Sequence, residues 1–256
     1  MSARAVNLLA PWIAGLLLLV MWEAACRLLA IPEFILPTPS ASLAALVEFA
    51  GPIWFNAAFT LWVTLLGFAL AVAFGLVLGV VVGSSPLAYA ALNPLLIGFN
   101  SVPKVALVPI LVIWFGIGAV PAVLTAFLIS FFPIVVNVAT GIATLEPELR
   151  DLLRSLGARP LDILLKVGLP RAMPYFFASL KVAVTLAFVG SVISETIAGN
   201  RGIGYLMLQA SSSFRVPLVF AGLFVVAAMG VGMYAAFAVV ERRVTGWAFR
   251  GAAPGG

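Results

Sequence analysis

Stretches of about twenty apolar residues recur along the whole chain, and no other feature constrains its fold so tightly. LWVTLLGFALAVAFGLVLGVVVG, VPAVLTAFLISFFPIVVNVATGIA and VPLVFAGLFVVAAMGVGMYAAFAVV are three of them. Each is long enough to cross a hydrocarbon core of roughly 30 Å as a helix. In lipid the backbone must satisfy its own hydrogen bonds, so such a run can only be helix or closed barrel. The alternating pattern of barrel strands is missing. Of 256 residues, 64% are hydrophobic and 9% charged, against about a quarter charged in a soluble domain. The expected fold class is an all-α polytopic membrane protein.

Six spans are expected, at about 11–30, 56–83, 88–117, 120–143, 175–198 and 217–240. After the first, IPEFILPTPS reads as extended and SASLAALVEFAGPIW as an interfacial helix. NRGIGYLMLQASSSFR reads as a loop and ERRVTGWAFR as a tail in which Trp247 rests on headgroups; Trp114 anchors the outer end of the third span. The chain divides into residues 1–54 (first span, outer loop and interfacial helix), 55–242 (a five-span core with a polar loop at 145–173) and 243–256 (tail). Arg4 followed by an apolar run resembles a cleaved leader. Glu23 spoils a cleavage site before Cys26, so a retained first span is the expectation.

The net charge of +5 marks cytoplasmic loops, not a nucleic-acid surface. Placing the N-terminus inside gives the cytoplasm Arg4, Arg150, Arg154, Arg159, Lys166, Arg171, Arg242, Arg243 and Arg250. The outside receives only Arg27, Arg201 and Arg215. Both termini are therefore expected in the cytoplasm. With no histidine, a His relay, a His-ligated metal site and a Ser-His or Cys-His nucleophile are excluded; Cys26 alone permits no internal disulfide. No GxxxxGK[ST] occurs, so the chain has no P-loop with which to cradle nucleotide phosphates.

Small residues recur every four positions in the second span: Gly67, Ala71, Gly75, Gly79 and Gly83. On a helix they form a stripe that lets another backbone approach, within the chain or across a dimer.

The polar loop is unlike its surroundings. Leu149, Leu152, Leu153 and Leu156 recur at i, i+3, i+4 and i+7, with Glu148, Arg150, Asp151 and Arg154 on the other faces. Pro147 suits a first helical position, and Gly157 suits the left-handed cap that ends a helix. A second short helix is expected from Pro160, with Asp162 in its first turn and Leu169-Pro170 ending it. Such an elbow either rests on lipid headgroups or docks into a groove on another protein. A lipid-surface helix favours a basic polar face. The interleaved acids here favour protein docking.

This loop resembles the EAA loop of ABC-importer permeases: Glu-Ala-Ala, three residues, Gly, nine residues, Ile, one residue, Leu-Pro. Asp151, Leu152 and Leu153 occupy the triplet, with Asp for Glu and leucines for both alanines. Gly157, Val167 and Leu169-Pro170 fill the remaining places. WEAACRLLAIPEFILPTPSA, VPKVALVPILVIWFGIG and ETIAGNRGIGYL also resemble permeases for nitrate, taurine and aliphatic sulfonates, with a sister branch for thiamine-precursor pyrimidines or riboflavin. The resemblance implies a MetI-like permease core whose elbow, the coupling helix, seats in a cleft of a separate cytoplasmic ATPase, with Leu149 on the docking face. It also implies a homodimer of permeases, two ATP-binding subunits that carry ATP and Mg, and a periplasmic or lipid-anchored solute-binding protein. It places the chain in the bacterial inner membrane and implies no catalysis and no cofactor in this chain.

Polar residues within spans are expensive and tend to face a cavity or the bundle interior. Asn100 and Lys104 in the third span, Asn137 in the fourth and Glu195 in the fifth are the candidate pathway residues. Lys104 would favour an anion, or would instead be a structural tie satisfied by carbonyls that Pro94, Pro103 and Pro109 set free. Glu195 carries the same two readings. Lys181 is expected to snorkel to the cytoplasmic face, and Glu23 to make a helix-packing hydrogen bond. A secondary transporter would need acidic coupling-ion sites and an inverted repeat. Only Glu23 and Glu195 qualify as the former. An intramembrane enzyme lacks a catalytic set.

Overall fold

The computed structural model describes residues 3–144 and 146–245, and every regular element among them is helical. Trp247 and Arg250 lie outside the described residues. Four helical stretches are long and apolar enough to cross a membrane: α3 (Ala50–Ser84), α6 (Ala119–Ala143), the continuous Pro160–Ala198, and α11 (Val216–Thr245). A further apolar pair, bent by 77°, joins α4 (Pro86–Ser101) to a 3-10 turn at Lys104–Leu107 that leads into α5 (Val108–Phe115), and counts as a fifth crossing if the pair is one span. The expected first span falls on α1 (Ala3–Leu28), so the count of six is met approximately.

The small-residue stripe of α3 packs within the chain, against α6. A Cβ placed on Gly67 would come within 2.6 Å of the Ala126 Cβ and the Val123 carbonyl; on Gly79, within 2.7 Å of the Val138 Cβ. Ala71 is fully buried between them. Lipid tails are as apolar as leucine, so burial alone does not hold spans together; close backbone approach and polar ties do. Gly190 of α9 (Leu169–Ala198) meets Ala126 from the other side, and a 2.5 Å hydrogen bond joins Thr64 of α3 to Ser191 of α9. α3, α6 and α9 thus form one block around Phe68, Ile134, Val138 and Val184.

Four expectations are corrected. The second span begins at Ala50, because α2 (Pro39–Glu48) runs almost directly into it; Thr38 caps α2, its hydroxyl accepting from the Ala41 amide. The last helix continues through Glu241, Arg242 and Arg243 to Thr245. The outer loop contains a helix, α10 (Ile203–Ser212).

The fourth concerns Leu169-Pro170, which does not end the elbow's second arm. α8 (Pro160–Ile163) runs through a π-helical turn, Leu164–Gly168, straight into α9. A proline ring clashes with the carbonyl four residues back, here that of Lys166. The wide turn, with Leu169 N–H reaching the Leu164 carbonyl, accommodates Pro170 without a break. The arm and the fifth span are one helix.

Candidate functional site

The elbow is built as its spacing predicts up to its corner. α7 (Pro147–Ser155) ends on Leu156, and Gly157 takes φ +85°. The Gly157 amide donates to the Arg154 carbonyl at 2.9 Å, and the Ala158 amide to Leu153 at 3.0 Å. This pair of bonds is a Schellman cap, which needs a residue free to adopt positive φ. Gly157 therefore fixes the angle between the two arms.

The leucine stripe is not uniform. Leu149 and Leu153 are half-buried, while Leu152 and Leu156 are 56% and 75% exposed. Leu161 and Leu165 on the second arm are exposed too. Half-buried Arg150 and the exposed Arg154 line a cavity of about 60 Å³ with Ser84, Ile142 and Ile163 at the end of the bundle. An elbow with leucines this exposed leaves apolar surface to be covered. Between its arms lies a cleft of about 250 Å³ that gathers Leu153, Leu156, Gly157 and Val167. Leu169 packs on the bundle core, Pro170 is exposed, and Asp151 pairs loosely with Arg154 at 3.9 Å.

The pathway candidates fall in separate places. Pro103 marks the break in the third span; Pro94 lies inside α4, and Pro109 sits in the first turn of α5. Lys104 Nζ donates to both the carbonyl and the side-chain oxygen of Asn100, each at 3.0 Å, and lies over the Phe99 ring. The freed carbonyl thus has its partner, and a half-buried cation stays at the bend. Asn137 donates to the Pro133 carbonyl within α6. Glu195 is 1% exposed and accepts at Oε2 from Thr60 Oγ1 at 2.9 Å and the Gly204 amide at 3.1 Å. No hydrogen bond links Lys104 to Glu195 among the described residues.

Lys181 does not snorkel freely: it pairs with Glu241 at 2.5 Å, tying α9 to α11. Glu23 makes the expected packing bond, accepting from the Ser40 amide and hydroxyl at the start of α2 while Arg27 pairs with it. Beside it Trp22 packs tilted against Phe220 and edge-on against Phe224 of α11. Sequence reasoning missed Glu241, Thr60 and Asn56. A lone polar residue in an apolar helix signals that some partner exists, but not which.

Residues 71–246 match the family described as "Binding-protein-dependent transport system inner membrane component". This chain belongs to that family. It is 31% identical over 240 residues to the taurine transport system permease protein TauC of Escherichia coli (strain K12), covering 91% of this chain and 87% of that one. The riboflavin transport system permease protein RibX of Chloroflexus aurantiacus is 33% identical over 234 residues, covering 91% and 87%. The formylaminopyrimidine transport permease protein ThiX of Halalkalibacterium halodurans is 29% identical over 245 residues, covering 95% and 98%. An inward-facing structure of the MetNI methionine ABC transporter shares the fold, with a TM-score of 0.61 at 20% identity over 79% of this chain and 97% of that one. The chain is a multi-pass permease subunit of an ABC importer.

Proposed function

We propose that two copies of this permease, two separate ATP-binding subunits and an external solute-binding protein form an importer for a small anion of the sulfonate, taurine or nitrate kind. ATP and Mg sit on the partner ATPase, and both termini face the cytoplasm, where the basic residues concentrate. One observation carries the reading: the elbow's second arm, with Leu161 and Leu165 outward, is continuous with the fifth span as one 39-residue helix. An ATPase gripping Leu152, Leu153, Leu156 and the Gly157 corner therefore acts on that helix through a single capped turn. Asn100, Lys104 and Asn137 border the solute route.

Uptake into vesicles holding the assembled complex tests this. Vanadate is expected to stop uptake while an uncoupler leaves it intact; the reverse would make the chain an ion-coupled carrier. Lys104→Met is expected to lower anion uptake several-fold without loss of assembly, and unchanged uptake would remove Lys104 from the route. The riboflavin and formylaminopyrimidine relatives, as similar as the taurine one, favour a second reading in which a heterocycle is the cargo. Thermal shift of the co-purified binding protein against taurine, nitrate, pyrimidines and riboflavin separates the two.

A further inference from the structure

α10 has no cap of its own. Its N-terminal neighbour, Gly202, carries no side chain and holds φ +104°. A helix start leaves its first amides without partners, and here three of them are met from other helices. The Gly202 amide donates to Asn56 Oδ1 at 2.8 Å, the Ile203 amide to Thr60 Oγ1 at 2.9 Å and the Gly204 amide to Glu195 Oε2 at 3.1 Å. Thr60 in turn donates to the same carboxylate oxygen.

The fit is close as well as polar. A Cβ on Gly202 would strike the Glu195 carboxylate, and one on Gly204 would come within 2.9 Å of the Glu195 Cβ. The start of α10 is shaped around the end of α9, with Glu195 at its centre and the Val192 carbonyl in the place a Cβ on Gly204 would take. α10 also packs on α11 through Leu206, Met207 and Leu218, but its polar seat exists only while α3 and α9 keep their present relation.

Glu195 stands near the end of the helix whose other end is the elbow. That helix, Pro160–Ala198, measures roughly 58 Å at 1.5 Å per residue. It is longer than the bilayer core, so its two ends lie at opposite faces.

We infer that Glu195, with Thr60, is a positioning residue that carries elbow motion to the outer face, by making α10 move as one body with α9. This rests on the ATPase-driven reading above. Under it, the small-residue packing of α3, α6 and α9 keeps the block rigid, and the carboxylate fixes α10 to the end of it. The ATPase on one side and the outer helix on the other then move together. Glu195 does this from within the packed block, with no need to touch the solute.

Single spin labels, placed in a Cys26→Ala background on the assembled complex in liposomes, test it through distances between the two permease copies. Lys166, exposed just past the elbow, reports the inner end, and Gln209, exposed on α10, reports the outer end. In the wild type, trapping with ATP, Mg and vanadate is expected to shift both distances. In Glu195→Ala and in the near-isosteric Thr60→Val, the Lys166 shift is expected to persist and the Gln209 shift to vanish. Glu195→Gln, which keeps an acceptor oxygen, is expected to restore it.

A Gln209 shift that survives both Glu195→Ala and Thr60→Val overturns the inference, as does a wild type in which only Lys166 shifts. If Lys166 itself does not move, the ATPase-driven reading fails and the inference with it. Should Glu195→Ala not assemble, Thr60→Val carries the test alone.

Discussion

Replacing Gly75 and Gly79 together by valine is expected to destabilise the folded protein severely. A Cβ at Gly75 would lie 2.9 Å from the Ile134 Cβ and 3.1 Å from the Phe131 carbonyl; at Gly79, 2.7 Å from the Val138 Cβ and 3.0 Å from the Val135 carbonyl. The obstacles are backbone atoms and the rigid Cβ positions of buried β-branched residues, which have no rotamer to yield. Forcing added carbons into a packed core costs about 1–3 kcal/mol per site. The pair therefore removes about 2–6 kcal/mol, a large share of the roughly 5–15 kcal/mol that holds a typical protein folded. The yield of monodisperse protein in detergent, and its thermal midpoint, measure the loss. Gly98→Val, where nothing lies within 4 Å, is expected to leave both unchanged. A double variant that melts like the wild type would show that the α3–α6 contact is not what holds the bundle.

Changing Leu152 and Leu156 to glutamine is expected to leave the permease folded but strip it of its ATPase. Both leucines are mostly exposed in this chain, so its own packing loses little. Each buried leucine at an interface is worth about 1.5–3 kcal/mol. Losing two weakens association by about 3–6 kcal/mol, a factor of roughly 150 to 20,000 in dissociation constant. Glutamine keeps helix propensity close to that of leucine, so α7 itself persists. Titrating the ATPase subunit against immobilised permease gives the number. Leu169 makes the contrast: it packs on the core, and its truncation is expected to lower stability instead of affinity. Unchanged affinity in the double-glutamine variant would place the docking surface elsewhere.

These two effects differ in how far the sequence alone foretells them. The Gly67 to Gly83 stripe announces a close approach, because only small residues at every fourth position permit one. Which helix receives it is a tertiary fact that spacing cannot carry. The elbow's first arm and corner are legible because leucines at helical intervals mark the arm and a glycine marks the left-handed cap that ends it. Its second arm is not. Leu169-Pro170 reads as a stop, since proline ends helices in most settings, and a single π-helical turn reverses that outcome.

Polar residues show the same division. Lys104, Lys181 and Glu195 stand out against an apolar background; the two lysines find partners, while Glu195 is met at Oε2 and its buried Oε1 has no partner among the described residues. Their side-chain partners lie four residues away for Lys104, 60 for Lys181 and 135 for Glu195, which also accepts from the Gly204 amide nine residues on. Only the first separation is within reach of a local argument. α10 was hidden for a related reason: its cap comes from two other helices, so NRGIGYL carries no local start signal beyond its glycines.

The account's central claim is that the elbow is the handle by which a nucleotide-driven partner turns the fifth span. Its most direct test is disulfide capture in a Cys26→Ala background. Single cysteines at Leu152, Leu156, Leu161 and Leu165 are paired with cysteines on the co-expressed ATPase. The account predicts capture at these outward leucines, with an efficiency that changes when ATP and vanadate are added. An ATPase that co-purifies with the permease yet is never captured from any of the four positions would contradict it.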